Sequence, residues 1–186
     1  MKRLFDVLLS ILLLCLLSIP MIIVAVIVKM SSSGPILYWS DRVGVDNSIF
    51  KMPKYRTMLI DTPAVATHLM QNPDAYLTPI GPFLRKSSLD ELPQLWSILR
   101  GEMSFVGPRL ALFNQDDLIK LRTEKGITRL TPGVTGWAQI SGRDNLPIPV
   151  KVQYDEYYMQ NRFFLFDIMI LWKTFFKVIK KDGVTH

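Results

Sequence analysis

The sequence has 186 residues, 22 Lys and Arg against 16 Asp and Glu for a net charge of +6, and 49% hydrophobic residues; its length bounds it to about one domain, and its composition excludes disordered and collagen-like chains. One cysteine, Cys15, and two histidines, His68 and His186, exclude an internal disulfide and a Cys/His zinc site and leave little for a His-based nucleophilic dyad. Neither Gly-x-Gly-x-x-Gly nor Gly-x4-Gly-Lys occurs, so dinucleotide and P-loop fingerprints are absent, and the chemistry falls to carboxylates, arginines or a bound cation.

Residues 7–28 are 22 positions with no formal charge. As a straight helix they would measure about 33 Å, enough for a hydrocarbon core of roughly 30 Å and too long for the apolar region of a signal peptide. Pro20, near the middle, removes a backbone donor and clashes with the preceding turn, and Ser18 is placed to satisfy carbonyls so freed. Lys2 and Arg3 flank one end, Lys29 and Arg42 the other, so the positive-inside rule keeps both flanks in the cytoplasm. The expectation is a re-entrant helix kinked at Pro20, in preference to a plain span, with Asp6 pairing with Lys2 and Arg3 at headgroup level.

After a break at 31–35, residues 36–39 read as a short strand, 45–48 as a turn and 49–52 as its partner strand. Residues 61–72 are weakly helical with Pro63 in the first turn, and 78–82 form a loop. Apolar residues at 89, 92, 95, 96 and 99 give 89–99 a helical face. A loop is expected at 101–109, a helix at 110–125, a turn-rich extended stretch at 131–149, and helices at 150–161 and 163–181. In the last, Leu171, Trp172, Phe175, Phe176 and Ile179 oppose Lys173, Lys177, Lys180 and Lys181. That is the pattern of a helix in the membrane interface, its lysines over anionic headgroups. The fold class expected is α+β, mainly helical: residues 1–30 a re-entrant membrane anchor, residues 31–186 a small cytoplasmic catalytic domain with interfacial amphipathic helices.

The most informative stretch is Arg85-Lys86-Ser87-Ser88-Leu89-Asp90-Glu91-Leu92-Pro93. Two readings of it stand. Ser88 with Glu91 three residues later fits a capping box, and first-turn acids suit the helix dipole. Alternatively Pro93, which removes a donor as such a helix becomes regular, restarts the helix and leaves Asp90 and Glu91 on a bent, exposed turn. Their side chains would then point about 100° apart, suited to two different roles. Arg85, Lys86, Arg100, Arg109, Arg129 and Arg143 surround them in sequence, several beside Gly101, Gly107 or Gly142. Guanidinium forks match phosphate oxygens, and glycine lets amides approach. Nucleic acid fits poorly with aromatics concentrated on apolar faces. Together the residues point to a phosphate-bearing substrate at a membrane surface, with a carboxylate as nucleophile or metal ligand.

Several longer motifs stand in order: Lys2-Arg3-Leu4-Phe5-Asp6, Gly34-Pro35, Arg42-Val43-Gly44, Lys54-Tyr55-Arg56-Thr57-Met58, Phe83-Leu84-Arg85-Lys86, Ser88 to Leu95, Gly101-Glu102-Met103-Ser104-Phe105-Val106-Gly107-Pro108-Arg109, and Pro132 to Arg143. In these the chain resembles the bacterial sugar transferase family, the monotopic phosphoglycosyl transferases, over essentially its whole length. It departs from the family pattern at Pro82, Leu110, Asp144 and residues 59–78, which bear on the choice of sugar. The resemblance implies transfer of a sugar-1-phosphate from a nucleotide diphosphate sugar, a UDP-sugar by family expectation, to polyprenyl phosphate. It implies Asp90 as the nucleophile forming a covalent phosphosugar, Glu91 with Asp90 as the Mg²⁺ site, and Arg85, Lys86, Arg109, Arg143 and Gln139 as substrate-binding residues. The implied partners are the nucleotide sugar, the polyprenyl acceptor and membrane lipid, without nucleic acid and with room for a homo-oligomer, at the cytoplasmic face of a bacterial inner membrane. The alternatives are a sugar-only membrane glycosyl transferase and a non-catalytic membrane adaptor.

Overall fold

The N-terminal apolar run breaks at Leu17. In the computed structural model, which describes residues 1–62, 73–142 and 146–179, helix α1 (Lys2–Leu16) and helix α2 (Ser18–Ser31) meet there with a bend of 64°. Pro20 falls in the first turn of α2, where its missing donor costs least, and the Ser18 hydroxyl donates to the Cys15 carbonyl at 2.9 Å. Among the described residues no single helix is long and apolar enough to cross a membrane; this bent pair passes that test only together. Both helices are apolar outward. In α1 the polar Asp6 and Ser10 are buried while Leu4, Leu8, Ile11, Leu12 and Leu16 are exposed, and α2 exposes Ile19, Ile22, Ile23, Val26 and Ile27.

The expected pairing of Asp6 with Lys2 and Arg3 does not form. Asp6 is buried against the domain, accepting the Ser104 hydroxyl at 2.9 Å and the Phe105 amide at 3.3 Å. Lys2 instead pairs with Asp167 at 2.7 Å, and Arg3 donates to the carbonyls of Ile98 and Leu99. The reason is tertiary: Asp6 and Lys2 find polar partners on the domain that are buried, Ser104, the Phe105 amide and Asp167, and Arg3 meets carbonyls at a helix C-terminus, which favours a cation. The other end of the helix pair is fastened too. Buried Arg56 donates to the Pro35 carbonyl at 2.7 Å and to the hydroxyl and carbonyl of Ser32 at 2.7 and 2.9 Å.

Strand β1 (Leu37–Val43) runs antiparallel to β2 (Ile49–Tyr55), in register from Leu37 opposite Tyr55 to Val43 opposite Ile49. The hairpin is longer than expected because polar positions join it; Asp41 faces Lys51 across the strands as an ion pair of 3.0 Å, a favourable cross-strand contact. Strand β4 (Ala111–Leu112) extends this sheet on the β1 side, and β3 (Ser104–Val106) pairs in parallel with β5 (Gly133–Thr135). These three short strands lie where a loop, a helix start and a turn-rich stretch were expected. Two or three residues carry no readable alternation, and close backbone approach makes them: a Cβ on Gly133 would stand 2.1 Å from the Gly107 amide nitrogen, and one on Gly136 2.0 Å from the Gly107 carbonyl oxygen. Gly107 therefore serves backbone packing.

Helices α5 (Asp116–Glu124), α7 (Ile148–Asn161) and α8 (Phe164–Ile179) enclose the main core of Ile98, Met103, Val106, Ile127, Val152 and Ile170. In α8 the expected separation of aromatics from lysines holds for Lys173, which is exposed, and Lys177, which is half-buried, and both reach the domain. Lys177 donates to the carbonyls of Gln139 and Ile140 at 2.9 and 3.3 Å, at the end of the short helix α6 (Trp137–Ser141), and Lys173 lies 5.4 Å over the Trp137 ring. The outward face is Leu165, Trp172, Phe175 and Phe176. Lys180, Lys181, the side chain of Ile179, His68 and most of the helix expected at 61–72 lie outside the described residues.

Candidate active site

Helix α3 (Gly81–Ser87) ends on Ser88, whose backbone is left-handed at φ 56°, and a single 3-10 turn, Leu89–Glu91, follows directly. Pro93 then opens helix α4 (Gln94–Arg100). Of the two readings of this stretch, the restart at Pro93 is the one present. Ser88 makes no side-chain capping bond, since a capping residue needs extended backbone. Asp90, however, is buried, where an exposed turn was expected. Its neighbours Leu89 and Leu92 pack on a second apolar cluster of Val24, Val28, Tyr55 and Leu84, which draws the turn inward. The inner face of α2 thus supports the turn that carries the carboxylates. The face of α4 also differs from expectation: Leu95 and Ile98 are buried with Gln94 and Ser97, while Trp96 is exposed.

Glu91, half-buried, pairs with Lys54 of β2 at 2.7 Å. Arg85, on the last turn of α3, donates to the Thr57 hydroxyl at 3.1 Å; burial pushes its guanidinium below the usual range, and the carboxylates of Asp90 and Asp74 oppose that shift. Arg42 of β1 is lowered first by burial and then by the positive charge of Arg109, with Glu91 and Tyr38 acting in the opposite direction. Asp90, Glu91, Arg85, Lys54, Arg42 and Arg109 therefore form one electrostatic neighbourhood, assembled from the hairpin, the α3–α4 turn and the segment before β4. A buried carboxylate facing Arg85, next to a Glu91 that faces Lys54 and Arg42, is suited to receiving a phosphate ester or anhydride.

Of the residues singled out from sequence, this neighbourhood brings together Asp90, Glu91, Arg85 and Arg109. Lys86 is exposed on the last turn of α3. Arg100 stands at the opposite end of α4 from Asp90, in an ion pair of 3.1 Å with Glu102, and Arg129 is exposed on the turn Ile127–Arg129. Gln139, in α6, has both side-chain amide atoms buried and no hydrogen-bond partner for them among the described residues. Arg143 lies outside the described residues. Two cations were not foreseen as site residues, Arg42 and Lys54. The signal for them was their place in two of the quoted motifs, and what hid it was that strand lysines and arginines ordinarily face solvent.

Among the described residues no group of three or more Asp, Glu, His or Cys side chains could hold a metal. Mg²⁺ needs only one or two carboxylates and completes its shell with water and substrate phosphate oxygens, and Asp90 and Glu91 are the acids adjacent in this neighbourhood, Glu91 being held by Lys54. The donor set is therefore compatible with a metal that arrives with, or is completed by, a phosphate-bearing substrate.

Residues 1–181 match the family described as bacterial sugar transferase. The chain is 37% identical over 186 residues to a Bacillus subtilis protein named as the uncharacterized sugar transferase EpsL, covering 99% of this chain and 90% of that one. It is 38% identical over 185 residues to the UDP-glucose:undecaprenyl-phosphate glucose-1-phosphate transferase of Escherichia coli, covering 95% of this chain and 40% of that one. With the undecaprenyl-phosphate galactose phosphotransferase of Salmonella typhimurium it shares 34% identity over 199 residues, covering 98% of this chain and 41% of that one. The chain thus spans about two-fifths of these two longer transferases, 40% and 41%.

Proposed function

The chain belongs to the bacterial sugar transferase family, and from that premise we propose that it transfers a sugar-1-phosphate from a UDP-sugar to undecaprenyl phosphate, releasing UMP and forming undecaprenyl diphosphate sugar. The observation that carries this reading is the buried Asp90 on its short turn, with Arg85 and Arg109 in the same neighbourhood and Glu91 beside it. In the first half-reaction the Asp90 carboxylate attacks the sugar-linked phosphorus; an acyl O–P bond forms, the phosphoanhydride breaks and its electron pair leaves with UMP. In the second, an oxygen of the lipid phosphate attacks the same phosphorus and Asp90 departs as carboxylate. Each half-reaction breaks one high-energy bond and makes another, so no ATP is required.

An anionic nucleophile approaching a diphosphate meets repulsion, and the cations of Arg85, Arg42, Arg109 and Lys54 offset it where charge accumulates. Glu91, with Asp90, would hold Mg²⁺, which supplies further charge neutralisation at the phosphate oxygens. Release of Glu91 from Lys54 would accompany that, leaving the ammonium for the substrate.

Residues 1–30 serve as the anchor and 31–186 as the cytoplasmic domain, at the inner membrane of a bacterium. A re-entrant course is supported by the fastening of both anchor ends to one domain: Lys2, Arg3 and Asp6 at the start, and Ser32 and Pro35 through Arg56 at the exit. A straight span would place those ends on opposite sides of the bilayer. Apolar surface facing outward on α1, α2 and α8, with polar groups inward, is the inverse of a water-soluble surface and suits lipid.

Nucleotide release tests the reading. Full-length protein in detergent, given Mg²⁺, undecaprenyl phosphate and a panel of UDP-sugars, is expected to release UMP with at least one donor. Release of UDP instead would mean sugar-only transfer and would remove Asp90 from the role of nucleophile.

A further inference from the structure

We propose that Arg122 and Asp155, which lie outside the site, form a positioning pair that holds Arg109 beside Arg42, so that both guanidinium groups present to the diphosphate of the donor. The inference rests on the donor-binding reading above. Arg122 lies in α5 and Asp155 in α7, and both are buried. Arg122 donates through Nε and Nη2 to Asp155 Oδ2 at 3.0 and 2.6 Å, and through Nη1 to the Arg109 carbonyl at 2.8 Å. On its other side the Arg109 segment is tied to β5: Arg109 bridges Gly133, and the Gly133 amide donates to the Pro108 carbonyl at 2.9 Å. The backbone of Arg109 is therefore fixed from two directions while its side chain is exposed.

That arrangement answers a local conflict. Arg109 and Arg42 are close enough for the charge of one to disfavour the other, and with Arg42 fixed in β1 an untethered Arg109 would move away until an anion arrived. Pinning the carbonyl of Arg109 prevents the separation and prepays the ordering that diphosphate binding would otherwise require. A buried ion pair is a poor source of net stability, because desolvation cancels most of its attraction. Its third contact is what gives it a directional consequence: the planar fork of Arg122 spans Asp155 and the Arg109 carbonyl at once, which a lysine ammonium cannot do in the same geometry.

The test is calorimetric titration of UDP into the detergent-solubilised full chain, comparing the parent with Arg109→Ala, Arg122→Lys and the double variant. Each single substitution is expected to weaken UDP binding about tenfold, and the double variant to bind no more weakly than either, since both act through one contact. Donor KM should rise by a similar factor in Arg122→Lys, with the smaller part of the loss in kcat. Parent-like UDP affinity in Arg122→Lys, or additive losses in the double variant, overturns the proposal. If Arg122→Lys does not fold, the paired change Arg122→Met with Asp155→Leu replaces the ion pair by apolar side chains; weakened UDP binding is expected there, and parent-like binding overturns the proposal. Failure of the transferase reading is seen separately, as absence of UMP release from the parent with every donor, while the binding cycle still judges the pair.

Discussion

Lys54 and Glu91 meet at 2.7 Å, one from the second strand of the hairpin and the other from the turn before α4. The same carboxylate is the more exposed member of the Asp90–Glu91 pair, so in the proposed mechanism the ammonium and a metal ion would compete for it. Lys54→Met is expected to lower the Mg²⁺ concentration giving half-maximal activity by several-fold, of the order of a partly exposed ion pair worth about 1 kcal/mol, while reducing maximal rate. A metal titration of UMP release reads both effects, and an unchanged midpoint would separate Glu91 from the metal.

Asp90→Asn keeps the size of the side chain and removes its nucleophilic charge. Turnover should fall by at least about a thousandfold, as expected when a covalent route is lost, with membrane association and melting temperature near those of the parent. Product release and a thermal melt in the same detergent check the two halves of this expectation, and residual activity within tenfold of the parent excludes Asp90 as nucleophile.

Asp6→Ala is expected to destabilise the protein by about 1–3 kcal/mol, the cost of leaving buried donors unmatched. The donors are the Ser104 hydroxyl and the Phe105 amide, bonded to Asp6 at 2.9 and 3.3 Å. Because Asp6 sits in α1 and Ser104 is buried in β3, the change should also raise hydrogen exchange along β3. A melting temperature equal to the parent's would count against a structural clasp.

Tyr158 is buried and donates to Asp167 at 2.6 Å; burial first, then that hydrogen bond, raises its hydroxyl well above the ordinary value. An unfolded tyrosine releases its proton near pH 10, so above that pH the native state binds more protons than the unfolded one. Stability is fully present below about pH 10 and is lost as pH rises further, by up to about 1.4 kcal/mol per pH unit for this group. Tyr158→Phe should cost about 1 kcal/mol at neutral pH and flatten the alkaline decline, leaving the smaller share from Tyr55, which burial also raises. Chemical denaturation between pH 8 and 11 measures both slopes.

Trp172, Phe175 and Phe176 form a stacked and edge-on aromatic cluster on the exposed face of α8, with ring centroids 4.8–6.5 Å apart. Replacing all three with serine should leave the core intact and lower partition of the protein into anionic liposomes by at least about tenfold, given roughly 25 cal/mol per Å² of apolar area removed from water. Flotation of the triple variant beside the parent provides the comparison, and equal flotation would mean that α1 and α2 alone hold the membrane.

The sequence by itself determined the elements whose signals are local. The kink near Pro20, the hairpin around residues 45–48, the helix restart at Pro93 and the amphipathic C-terminal helix each follow from a proline, a turn or a period that neighbouring residues carry. The two carboxylates were legible for the same reason, standing side by side on a stretch with ordered motif resemblance. What only the tertiary structure decided is which charge meets which. Asp6 turns from its helical neighbours Lys2 and Arg3 to Ser104, Lys177 reaches the Gln139 and Ile140 carbonyls, Arg100 lies at the far end of α4, and Arg42 and Lys54 join the site from a hairpin. Ionic and hydrogen-bonding partners are chosen by distance in space and by the cost of burying an unmatched group, and neither quantity is written in the spacing of residues along the chain.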